Sequence, residues 1–218
     1  DNGSNDACGI ASLTLDNTTF DCSNVGDNTV TLTVTDVNGN VSSAPATVTV
    51  NDVTAATVIT QDISIDLDAN GNASISTADI DNGSNDACGI ASLTLDNTSF
   101  DCSNVGDNTV TLTVTDVNGN VSSAPATVTV NDVTAATVIT QNISIDLDAN
   151  GNASISTTDI DNGSNDACGI ASLTLDNTTF DCSNVGDNTV TLTVTDVNGN
   201  VSSALATVTV NDVTAATV

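Results

Sequence analysis

The chain has 218 residues and a formal charge of −28, and it contains no Lys, Arg, His, Met, Trp or Tyr. Every one of its 28 acidic side chains is aspartate. Without cations nothing displaces counterions from phosphates, which excludes nucleic-acid binding, and the missing His, Lys and Tyr remove most acid–base and nucleophilic chemistry.

No apolar run reaches 18 residues, so membrane insertion is not expected. No signal peptide is visible at Asp1, which says little of a segment cut from a longer precursor. High charge with few aromatics is also the mark of disorder. However, Leu, Ile, Val and Phe supply 20 of residues 1–80, above the roughly 20% associated with disorder, and they are patterned.

The sequence repeats with a period of 80. Residues 1–80 and 81–160 differ only at Thr19/Ser99, Asp62/Asn142 and Ala78/Thr158. Residues 161–218 match 81–138 except at Ser99/Thr179 and Pro125/Leu205. A unit this long can close a small core of its own, so a string of small domains is expected.

Within a unit the period is two. Ile63, Ile65 and Leu67 alternate with Ser64 and Asp66, and Ala73 and Ile75 resume the alternation after a turn. Ile90, Leu93 and Leu95 form a less regular strand with a bulge expected at Ala91-Ser92. Val110, Leu112 and Val114 alternate with Thr109, Thr111, Thr113 and Thr115, and Ala126, Val128 and Val130 follow in the same way. No amphipathic helix is evident. Asn70-Gly71 and Asn118-Gly119 predict type I′ hairpin turns, each joining the strands beside it. Roughly seven short strands per unit predict an all-β fold of tandem immunoglobulin-like β-sandwich domains. Boundaries are expected after Asp52, Asp132 and Asp212. Residues 1–52 would be a partial domain lacking its first hairpin, 53–132 and 133–212 complete domains, and 213–218 the start of another.

Cysteines recur in pairs at Cys8/Cys22, Cys88/Cys102 and Cys168/Cys182. No His, basic neighbour or Cys-x-x-Cys motif supports zinc or redox chemistry. The simple reading is one disulfide inside each domain, closing a loop of about 15 residues and stabilising it by roughly 3 kcal/mol in the chain-entropy model. Buried free thiols are the alternative. Disulfides imply an oxidising, extracellular setting.

The segment Asp81-Asn82-Gly83-Ser84-Asn85-Asp86-Ala87-Cys88-Gly89-Ile90, with Phe100-Asp101-Cys102 and Thr115-Asp116-Val117-Asn118-Gly119-Asn120, resembles hyalin-repeat-like, immunoglobulin-type modules. Such modules occur in tandem arrays in secreted surface adhesins and filaments of Bacteroidetes, the flavobacteria included. The resemblance covers the whole repeat and implies a stalk, spacer or adhesive filament at the cell surface. This chain departs from related units in having Val133-Thr134-Ala135-Ala136 where a linker proline is common, and in the near identity of its repeats.

Strand directions then locate the acidic groups. The loop 79–86 and the turn at Asp116-Asn118 fall at the end of a domain that meets Asp52 of the preceding one, and the turn containing Asp68 falls at the opposite end, beside Asp132. A calcium site is expected at each junction, from Asp52, Asp79, Asp81, Asp86, Asp116 and Asn118. Its repeat would use Asp132, Asp159, Asp161, Asp166, Asp196 and Asn198, with Asp68 and Asp148 reaching in from the turns. Calcium takes six to eight hard oxygen ligands, and no Lys or Arg is present to neutralise these carboxylates. The alternative is that these residues are turn formers and solubilising charge. The run Asp66-x-Asp68-x-Asn70-Gly71 resembles an EF-hand start, but Thr77 stands where a bidentate Glu is required, so a plain hairpin is expected.

Sequons at Asn2, Asn17, Asn40 and Asn72 are what chance gives in this composition. The outward row Thr29, Thr31, Thr33 and Thr35 reads as β-propensity on a solvent face, or as a stripe for lateral packing or adsorption. Two nearby aspartates would suffice for glycoside hydrolysis, but no pocket-forming insertion or aromatic platform accompanies them, so no enzyme is expected. The expected function is the shaft of an extracellular filament or adhesin. Its partners would be neighbouring repeats and, in a filament, other copies; the alternative is a self-associating fibre subunit or a carbohydrate-binding module using the Thr face.

Overall fold

Alternation of Val and Leu with Thr makes strands with one face for a core and one for water. The computed structural model describes residues 1–215 and assembles such strands into an all-β fold; residues 216–218, within the expected start of a further repeat, lie outside the described residues. In chain order the strands are β1 (Ile10–Leu15), β2 (Gly26–Asp36), β3 (Val41–Val50), β4 (Ile63–Asp66), β5 (Asn72–Ser74), β6 (Ile90–Leu95), β7 (Ser99–Asp101) and β8 (Gly106–Asp116). They continue with β9 (Val121–Asn131), β10 (Ile143–Asp146), β11 (Asn152–Ser154), β12 (Ile170–Leu175), β13 (Thr179–Asp181), β14 (Gly186–Asp196) and β15 (Val201–Asn211). Two single-turn helices, α1 (Thr77–Ile80) and α2 (Thr157–Ile160), and 3₁₀ turns at Cys22–Asn24, Cys102–Asn104 and Cys182–Asn184 complete the elements.

The last complete repeat has a four-stranded sheet in the order β10-β15-β14-β12 and a two-stranded sheet of β11 and β13. The first strand lies parallel to the last, with Ile143 opposite Val208 and Ile145 opposite Val210. The other pairs are antiparallel. This is a tandem immunoglobulin-like sandwich, and the orders β4-β9-β8-β6 and β5-β7 repeat it. Each complete repeat has six strands rather than about seven, because only residues 176–178 separate β12 from β13 and leave no length for another. The bulge expected in β6 is present as a register shift between Ile90 and Ser92.

Inward residues of both sheets meet in one core, made of Leu147, Ile155, Ile160, Phe180, Val190, Leu192, Val194, Ala206, Val208 and Val210 with Ala136. Their 80-residue equivalents Val110, Leu112, Val114, Val128 and Val130 are as deeply buried. Residues 1–52 contribute only the sheet β1-β2-β3, with no second sheet of their own, and there Val30 alone is buried. The chain divides into two compact units, residues 1–61 with 77–96 and 110–126, and residues 62–76 with 97–109 and 127–218.

The turns differ from expectation. A type I′ turn needs two positive φ angles, and among the described residues only glycines have one. At 116–120 the Gly119 amide donates to the Asp116 carbonyl at 3.3 Å and the Asp116 amide to the Asn120 carbonyl at 3.0 Å, with Gly119 at φ +91°. That is a three-residue loop ending in a left-handed glycine. The cause is Asp116, whose Oδ1 accepts the amides of Asn118 and Asn120, both at 2.9 Å, and so leaves Val117 and Asn118 without a positive φ. Residues 68–72 form the same turn, with Asp68 Oδ1 accepting from Asn70 at 2.8 Å and Asn72 at 3.0 Å. It does not make a β-hairpin, since β4 pairs with β9 and β5 with β7; the turn carries the chain from one sheet to the other.

Candidate functional site: cystine-linked acidic clusters

Each cysteine is presented by an aspartate-capped turn. Asp101 caps the 3₁₀ turn that begins at Cys102: its Oδ1 accepts the Ser103 amide at 2.8 Å, and its own amide donates to Asn104 Oδ1 at 2.9 Å. Asp21 and Asp181 do the same before Cys22 and Cys182. On the other side, Asp86 Oδ1 accepts the amides of Cys88 at 2.8 Å and Gly89 at 3.1 Å, and Asp166 repeats this for Cys168 and Gly169.

The disulfides join these two kinds of turn across the repeat. Cys22 bonds Cys88 and Cys102 bonds Cys168, each with a sequence separation of 66 and a Cα–Cα distance of 5.1 Å. Cys8 and Cys182 are free and exposed. The expected pairing inside each repeat, Cys8–Cys22, Cys88–Cys102 and Cys168–Cys182, is therefore wrong. Cys88 and Cys102 lie beyond the outer ends of β6 and β7, and β6 alone, at six residues, spans roughly 20 Å. A disulfide requires Cα atoms about 4.4–6.8 Å apart.

Beside each disulfide stands a pair of carboxylates. Oxygens of Asp52 and Asp86 and Cys88 Sγ lie within 4.8 Å of one another, and Asp132, Asp166 and Cys168 form the same group. Asp52 Oδ1 accepts the Thr54 amide at 3.0 Å, while its Oδ2 is buried without a hydrogen-bond partner; Asp132 is identical, with Thr134. A buried carboxylate oxygen without a donor is costly unless a cation or proton meets it. The donor set suits a hard cation only in part. Two carboxylates are available, but the adjacent sulfur is locked in a disulfide and is a poor ligand for calcium.

The remaining residues of the expected clusters do other work. Asp116 and Asp196 are 1% exposed, and their second oxygens accept Asn120 Nδ2 at 2.8 Å and Asn200 Nδ2 at 2.9 Å. Burial pushes both carboxyls up, but the Asn120 and Asn200 donors and the turn amides outweigh it and leave them below the ordinary value. The amides of Asn120 and Asn200 also donate to the backbone carbonyls of Asp52 at 3.3 Å and Asp132 at 3.1 Å, so the 116–120 and 196–200 turns reach the cluster through asparagine rather than through the carboxylate. Asn118 and Asn198 are used through their backbone amides. Asp81 and Asp161 accept from Ser84 and Ser164 at 3.0 Å, and those serines, chiefly through their hydroxyls, hold the carboxyls low. Asp79 offers its carbonyl to Gln61 Nε2 at 3.0 Å, and Asp159 accepts from Ser156 at the start of α2. Asp68 and Asp148 are committed to their turns. The 68–72 turn nevertheless abuts a disulfide: Gly71 has φ +75°, and a Cβ there would lie 2.6 Å from Cys102 Sγ.

No family model matches the chain, and no curated protein matches it. Solved structures with a similar course of chain include protocadherin gamma B7 extracellular cadherin domains 1–4, at 11% identity and TM-score 0.37, covering 88% of this chain and 59% of that one. Sidekick-1 immunoglobulin domains 1–4 match at 8% identity and TM-score 0.40, covering 88% and 60%, and titin domains I67–I69 at 8% and 0.41, covering 85% and 75%. The chain thus spans about three fifths of the protocadherin and Sidekick-1 chains it matches. Its own strand order carries the immunoglobulin-like assignment.

Proposed function

We propose that the chain is a load-bearing shaft segment of an extracellular filament or adhesin, in which successive 80-residue repeats are tied by disulfides and stiffened by a divalent cation. The single observation that supports this reading best is the pair of disulfides joining the second cysteine of one repeat to the first of the next, Cys22–Cys88 and Cys102–Cys168. Bonds of this kind persist in oxidising compartments. The partition into domains 53–132 and 133–212 and the resemblance to Bacteroidetes surface arrays belong to the same proposal.

Calcium would be held by Asp52 with Asp86 and by Asp132 with Asp166, whose carboxylates converge around a buried oxygen without a donor. With two carboxylates the rest of the coordination shell is water and main-chain oxygen, which places affinity in the weak range of about 10⁻⁴–10⁻³ M common to extracellular modules. Calcium at a few times that concentration should raise the thermal midpoint above that in sodium chloride of equal ionic strength, and Asp52→Asn with Asp132→Asn should abolish the difference. An equal midpoint in both salts would remove the cation from the account.

A second reading, lateral association, is favoured by one surface. Thr191, Thr193 and Thr195 on β14 stand beside Ser172 and Thr174 on β12 and Ser203 and Leu205 on β15, an uncharged stretch of a face that carries Asp187 and Asp146 only toward its other end. Val201 and Leu205 are 59% and 65% exposed there. Sedimentation at rising concentration decides this: bundling supports fibre assembly through that face, and a constant monomer supports a passive spacer.

A further inference from the structure

We infer that the disulfides take most of the chain between Cys22 and Cys168 out of the path of tension and cap the length to which the chain can be drawn. Force applied at the two ends follows the shortest covalent route. That route enters at Asp1, crosses from Cys22 to Cys88, runs along the chain to Cys102, crosses to Cys168 and leaves along residues 168–218. Residues 23–87 and 103–167, 65 in each given the separation of 66, are bypassed. They hold all of β2 to β5 and all of β8 to β11, so these strands carry no tension even when they unfold.

Between the two disulfides the loaded stretch is residues 88–102, which contains β6 and β7. Drawn straight it reaches about 50 Å, against roughly 280 Å for an unbridged repeat of 80 residues. The strand that takes the pull is fastened at both ends: the Val117 amide donates to the Gly89 carbonyl at 3.1 Å, and Asp96 Oδ1 accepts the Thr111 amide at 2.8 Å. Between these points β6 pairs with β8 from Ile90 opposite Asp116 to Leu95 opposite Leu112, so β6 must part from the unloaded β8 before the stretch between the disulfides can straighten. Between Cys22 and Cys168 a chain built this way yields little under load and keeps its bypassed strands free of tension.

The inference deepens the reading of the chain as a shaft and rests on it for its purpose. The test is to hold the full chain by its two ends in optical tweezers, with and without a phosphine reductant. The oxidised chain should stop about 460 Å short of the reduced one, and Cys88→Ser should recover about half of that without reductant. Equal final lengths in the two conditions, or three increments of about 45 Å from bonds within single repeats, would overturn it. Failure of the shaft reading shows differently, as lateral binding with the capped extension intact.

Discussion

Asp116 and Asp196 are almost wholly enclosed, yet each keeps its charge by accepting two turn amides and one asparagine side chain. Aspartate serves throughout this chain as an acceptor for backbone N–H groups, which explains its use where glutamate, one carbon longer, is absent. Asp62 and its counterpart Asn142 show that the acceptor oxygen matters more than the charge, since each takes the amide of Thr127 or Thr207 at 2.7 Å. The carboxyls of Asp68, Asp81, Asp116, Asp148, Asp161 and Asp196 all sit below 3.8 in the folded chain. A depressed carboxyl stabilises the fold above its unfolded value and loses that contribution as the pH falls through the folded one. The thermal midpoint should therefore stay level from neutrality to about pH 5 and fall below about pH 4. A midpoint unchanged down to pH 2 would show that the turns do not depend on ionised acceptors. Gly71 is the other decisive residue, because a methyl group there meets Cys102 Sγ at 2.6 Å. Gly71→Ala should block the Cys102–Cys168 bond and raise the titratable thiols from two to four.

Strands carry the core, and β14 and β15 supply three buried residues each, Val190, Leu192 and Val194 of β14 all fully buried. Leu192→Ala should cost about 2–5 kcal/mol by removing packed methyl groups from that layer, read as a shift in the denaturant midpoint at constant slope. A loss below about 1 kcal/mol would mean that the two sheets do not close on Leu192. These strands were legible in the sequence because Thr alternates with Val and Leu without interruption, and the bulge at Ile90–Ser92 was legible because the alternation slips there. The turns were misread for a local reason. Asn-Gly alone favours two left-handed residues, whereas an aspartate two positions before the Asn ties up the following amides and leaves only the glycine left-handed. The cysteine pairing was misread because the sequence does not show where the chain goes after the extended Ile90-Ala91-Ser92-Leu93-Thr94-Leu95: β7 pairs with β5 in the other sheet instead of returning beside β6, so Cys88 and Cys102 stay apart. Of the expected metal ligands, Asp52 with Asp86 and Asp132 with Asp166 converge; Asn120 and Asn200, which tie the neighbouring turns to them, gave no sign without the folded turn.

At the scale of the whole chain, a charge of −28 with no cation opposes folding by self-repulsion, and two long-range bonds oppose unfolding. The Debye length shrinks from about 10 Å at 0.1 M salt to about 3 Å at 1 M, so raising sodium chloride over that range should raise the thermal midpoint by several degrees. A midpoint independent of salt would mean that the carboxylates are already neutralised. In the chain-entropy model a loop of 66 residues is worth about 4 kcal/mol, more than the roughly 3 kcal/mol of the short loop inside a repeat. The most direct test of disulfides that run from repeat to repeat is the intact mass of the monomeric chain after alkylation in denaturant without reductant. Two alkyl groups, on Cys8 and Cys182, are expected. None would mean that the bonds lie within the repeats, and six would mean that the chain has no disulfides at all.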